Sequence, residues 1–134
     1  MNRNGKWYRD LCELVKRRDA DCYEAYRRNL PFQAPEWEVH VHHIRHRGGC
    51  ISEDREDNLI SLDPYVHAEL HAGREYEYRQ YIYIYMESEE VEAWREAHAE
   101  EIAAIMQSKE DFEQRRRQKM HQLKKPLPAW RPRV

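Results

Sequence analysis

An α+β fold, with a short β-hairpin packed among helices, is the class this 134-residue chain predicts. Two observations carry it. Residues 36–44, EWEVHVHHI, alternate in character and are rich in β-branched side chains, and residues 57–62, DNLISL, read as a short returning strand. Around that pair, apolar residues recur at the three-to-four-residue interval of amphipathic helices.

Taken in order, Trp7, Leu11 and Val15, with Cys12, place an amphipathic helix over 6–18, and a shorter one carrying Tyr23 and Tyr26 follows over 21–29. Pro31 and Pro35 bracket a loop into the first strand, and the Gly48-Gly49 pair permits a tight connection to the second. Pro64 suits the first turn of a helix that carries His67 and His71, four residues apart and so on one face. Gly73 either ends that helix or interrupts a longer one.

Residues 74–86 are ambiguous, because the tyrosine-rich run alternates like a strand while Tyr78, Ile82 and Tyr85 also share a helical face. Helix is preferred, since helical sequence follows with no turn between. Its tyrosines, Tyr76, Tyr78, Tyr81, Tyr83 and Tyr85, are read as packing groups rather than as a base-stacking platform. Val91, Trp94, Ile102, Ile105 and Met106 predict a helix over 89–107, capped by Ser88. Ser108 with Asp111 resembles a capping box that opens a further helix towards Lys124. The chain therefore divides into a hairpin-bearing unit (1–86, core 36–73), a charged helical extension (87–125) and a Pro-rich basic tail (126–134).

Composition narrows the chemistry. Charged residues make up 36% and apolar ones 40%, so the core must be modest, and no apolar run is long enough for a membrane span. Cys12, Cys22 and Cys50 are unpatterned and read as free thiols in a reducing cytoplasm. The net charge is only −2, yet charge is segregated: residues 87–101 hold seven glutamates and one arginine, whereas 115–134 hold eight Lys/Arg and no acid. Such a tail either neutralises phosphates or docks a protein partner.

Six of the eight histidines fall between His40 and His71. Imidazole is the commonest protein metal ligand and changes protonation state nearest neutral pH. Adjacent strand residues point to opposite faces, so His42 and His43 cannot do the same job. One suits a metal and the other a substrate.

The order of these elements, His42-His43, the glycine pair, Asn58-Leu59 and then H-A-E-L-H, resembles the HNH endonuclease family with its ββα-metal hairpin. The resemblance covers about a quarter of the chain. It implies a metal-dependent endonuclease that hydrolyses DNA by a single-metal, histidine-base mechanism. His42, His67 and His71 would hold one divalent cation (Mg²⁺, Mn²⁺, Ni²⁺ or Zn²⁺), His43 would activate water, and Asn58 would orient His43. Arg45 and Arg47, beside the base, and Arg115, Arg116 and Arg117, in the extension, would contact phosphates. Relatives of this stand-alone kind belong to the cytoplasm of bacteria or phage-infected cells.

The chain departs from the family's frequent form in one respect. Many members carry paired C-x-x-C motifs for a structural zinc, but here Asp63 and Val66 stand where one such pair would fall, and no C-x-x-C exists. No structural zinc is expected, so packing against the helices must hold the hairpin. The alternative reading is a non-catalytic, metal-stabilised module that binds nucleic acid or protein, with the oppositely charged C-terminal helices serving an assembly interface or self-association.

Overall fold

A computed structural model describes residues 5–33, 38–45 and 50–124. The glycine pair, Arg47, the first residues expected of strand one and the tail 126–134 lie outside them. The fold is α+β: among the described residues, six α-helices surround a two-stranded antiparallel sheet. Among the described residues no helix is long and apolar enough to cross a membrane.

The first helix, α1 (Gly5–Asp21), buries Trp7, Leu11, Leu14 and Val15 along one stripe, as its spacing requires. A short α2 (Tyr23–Asn29) follows and buries Ala25 and Tyr26. The hairpin pairs β1 (His40–His43) with β2 (Leu59–Leu62), with His40 opposite Leu62 and His43 opposite Leu59. All of β2 is buried, whereas β1 is partly exposed.

Polar side chains of α1 and α2 brace the side of β2 that β1 does not pair. Arg18, fully buried, donates to Leu59 O (2.6 Å) and Glu56 O (2.8 Å), and Asp19 accepts from Ser61 N (2.7 Å). Tyr26 donates to Ser61 O at 2.6 Å, and Tyr85 donates to Asp19. Burial opposes the charge of Arg18, but Asp19 and Glu56 beside it raise its pKa above the ordinary arginine value. Arg95 ties Glu56 to the following helices at 2.7 Å. This network ties β2 to α1, α2 and the later helices.

Asp63 caps α3 (Pro64–Glu69) by accepting from Tyr65 N and Val66 N, and Pro64 occupies the first turn. Gly73, at φ 107°, breaks the path before α4 (Glu75–Met86) begins, so it separates two helices. The tyrosine-rich run is helical. Ile82, Tyr85 and Met86 are buried, Tyr78 packs edge-on against Phe32, and Tyr76 and Tyr81 face solvent.

The helix expected over 89–107 is in fact divided at His98. Ser88 caps α5 (Glu89–Ala97), and α6 (Ala99–Lys124) then runs through Ser108 without interruption. Two interactions explain the shift. His98 leaves helical geometry to stack on Trp94, with ring centroids 3.7 Å apart, and is half-buried. Ile105, Lys109 and Phe112 meanwhile continue one face across Ser108, and α6 packs along α1.

Candidate metal centre

The hairpin and α3 bring three imidazoles together. His42 projects from β1, His67 from α3 and His71 from the turn after it, and one ligand nitrogen from each lies within 4.8 Å of the others. Bonds of about 2.0–2.1 Å to a divalent ion would set such nitrogens roughly 3–4 Å apart, so small ring rotations suffice. His67 Nε2 and His71 Nε2 are already 2.9 Å apart. His71 is exposed and the other two half-buried, so the group opens to solvent on one side.

Electrostatics suit the same role. Burial, then the neighbouring His67, His71 and His43 rings, push the pKa of His42 down to about 4. Burial, then His71 and His40, lower that of His67. Both rings are therefore neutral near pH 7 and keep a lone pair for a cation.

His43 does something else. It leaves the opposite face of β1, and its Nε2 lies 2.6 Å from Oδ1 of Asp54, a fully buried carboxylate. A carboxylate at that distance accepts the Nε2 proton, so Nδ1 carries the free lone pair. Lys109 Nζ donates to the Asp54 backbone carbonyl at 3.0 Å, which anchors the segment from α6.

Asn58 sits close by but does not hold the ring. Its Oδ1 accepts from Arg45 N (2.9 Å), and its Nδ2 donates to Glu53 O (2.8 Å) and Arg45 O (3.3 Å). Its own carbonyl accepts from Ile44 N at 2.8 Å. Asn58 therefore clamps the backbone after His43 to the backbone before Asp54, and Asp54 makes the contact with the imidazole.

The predicted phosphate contacts are scattered. Arg45 is exposed beside His43, and Arg47 lies outside the described residues. Arg116 and Arg117 line an open groove of about 360 Å³ with Ile51, Met120 and His121, but Arg117 also pairs with Glu110 and Glu113 on its own helix. Arg115 turns away, towards Lys6, Trp7 and Phe112.

Two residues that sequence reasoning missed are Asp54 and His40. His40 is exposed, yet its Nδ1 lies 3.0 Å from Nδ1 of His67. The strand alternation that put His40 on the face of His42 was the available signal. For Asp54 there was none. No family model, curated protein or solved structure matches the chain.

Proposed function

We propose that this protein is a metal-dependent DNA endonuclease of the HNH kind, its hairpin and α3 forming a ββα-metal unit. The observation that carries the reading is a division of labour. Three histidines converge on one face, while His43, next in sequence to one of them, turns away to a buried carboxylate. A purely structural metal site does not require the second arrangement.

A divalent cation held by His42, His67 and His71 would supply Lewis acidity towards a phosphate oxygen. An all-imidazole set suits a borderline ion such as Zn²⁺ or Ni²⁺ better than Mg²⁺, which prefers oxygen ligands. His43 Nδ1 takes a proton from the attacking water as its oxygen bonds to phosphorus, and the departing sugar oxygen is protonated from solvent. Asp54 keeps the ring in the useful tautomer and stabilises the imidazolium that forms. Asn58 keeps the two segments in register, and Arg45 offers a guanidinium to the phosphate.

The test is incubation of the purified protein with supercoiled plasmid and Zn²⁺, Ni²⁺, Mn²⁺ or Mg²⁺, against an EDTA control and His43→Ala. Cleavage is expected with metal, and not with EDTA or the variant. Metal binding without cleavage under any of these ions would instead mark a non-catalytic, metal-stabilised module.

A further inference from the structure

We infer that His40 is a positioning residue for the metal centre, accepting a hydrogen bond from His67 Nδ1–H and thereby fixing which nitrogen His67 presents. This rests on the metal-binding reading above, though not on the nuclease activity.

His67 is flanked on both sides. Its Nδ1 lies 3.0 Å from His40 Nδ1, and its Nε2 lies 2.9 Å from His71 Nε2. The two nitrogens of one imidazole point in diverging directions, so a single ion can take only one of them. The group that converges is His42, His67 and His71, which assigns Nε2 of His67 to the ion. Nδ1 of a ring ligated through Nε2 carries the proton and needs an acceptor. Ligating histidines nearly always find one in a carboxylate, a carbonyl or water. Here the acceptor is another imidazole.

The placement follows from the hairpin rather than from chance proximity. His40 pairs with Leu62, and the next residue, Asp63, caps the helix that carries His67. Strand register thus sets His40 against the first turns of α3. Neutral rings then complete a relay without conflict: His71 Nε2–H donates to His67 Nε2, and His67 Nδ1–H donates to His40 Nδ1. An incoming cation displaces only the first of these protons. The second stays, and holds the ring plane.

The experiment measures Zn²⁺ affinity by chelator competition, and the Co²⁺ absorption spectrum, for full-length wild type, His40→Ala, His40→Gln and His67→Ala. His40→Ala is expected to bind Zn²⁺ ~10–100-fold more weakly while leaving the Co²⁺ spectrum unchanged. His40→Gln, whose amide oxygen accepts the same proton, recovers most of the loss. His67→Ala abolishes both signals. In the long-range ¹H–¹⁵N NMR spectrum of the Zn²⁺ form, the Nδ1 proton of His67 exchanges faster in His40→Ala than in wild type. Wild-type affinity in His40→Ala would overturn the inference and leave the metal centre standing. So would a Co²⁺ spectrum showing the loss of a nitrogen ligand, since His40 would then bind the ion itself. Failure of the wild type to bind either ion would remove the metal reading, and the role of His40 with it.

Discussion

His43 has one ring nitrogen committed to Asp54, and this decides how substitutions on the two residues should differ. His43→Ala removes the proposed base and should abolish plasmid cleavage while Zn²⁺ affinity stays within about twofold, because the ring is outside the converging trio. Asp54→Asn keeps the shape but offers an amide in place of the carboxylate, so the ring loses its tautomeric bias. Cleavage should fall roughly 100-fold, the scale expected when a reacting group is misplaced by about 1 Å. A steady-state assay in which Asp54→Asn raises KM and spares kcat would place Asp54 in binding instead. The histidines were legible in the sequence because alternation along a strand and the four-residue helical repeat are local rules. Asp54 obeys no local rule: it is one of 25 acidic residues and reaches His43 only because the loop between β1 and β2 folds it back. The part played by Asn58 stayed open for a related reason. Its spacing places it near the base, but only the fold decides whether its amide meets a ring or a backbone.

Helices show the same contrast between local and tertiary control. The tyrosine-rich run carries two periods at once, and the helical one prevails because Ile82, Tyr85 and Met86 can then be buried together. At 97–108 the local signal misled, since a good capping pair at Ser108 and Asp111 lost to a face that packs along α1, while the real break at His98 carries no breaker residue. Gly73 is the opposite case, a breaker that breaks. Its φ of 107° is left-handed, and an added Cβ would meet nothing within 4 Å, so any cost of substitution comes from the backbone alone. Gly73→Ala should therefore lower stability by about 1–2 kcal/mol in urea denaturation, and Gly73→Asn by less. Equal stability of Gly73→Ala and wild type would mean that α3 and α4 can be joined by another path.

Across the molecule, the ion pairs most costly to break are the buried ones. Arg18 lies among Asp19, Glu56 and the Leu59 carbonyl, so Arg18→Ala leaves Asp19 buried without its cation and Glu56 with Arg95 alone, and should cost about 3–5 kcal/mol. Arg117→Ala, which removes only exposed pairs, should cost about 0–1 kcal/mol. Urea melts of the two variants check the contrast. A pH dependence follows from His42. Above its ordinary pKa of 6.5 the ring is neutral in the folded and unfolded chains alike, and it contributes no pH dependence. Between 6.5 and about 4 the unfolded chain takes up a proton that the folded one resists, so stability is lost across that window and no further below it. Metal-free protein should melt progressively lower from pH 7 to pH 4, and His42→Gln should flatten the slope. Parallel curves would show that other groups govern the acid side.

The bracing of β2 by side chains has a consequence for how the chain is made. Its partners Arg18 and Asp19 lie 41 and 42 residues before the strand positions they bond, so α1 leaves the ribosome well before the strand it will shield. Synthesis order thus supplies the shield before the thing shielded. Deleting residues 5–21 would remove the shield altogether. It would leave Leu59 O and Ser61 N as an open strand edge flanked by Ile60 and Leu62, a template on which other copies could pair. Such a protein is expected to accumulate as insoluble, β-rich aggregate, detectable by sedimentation and amide-band infrared spectroscopy, whereas Arg117→Ala stays in solution. A soluble deletion product would mean that another part of the chain closes over β2 when α1 is missing.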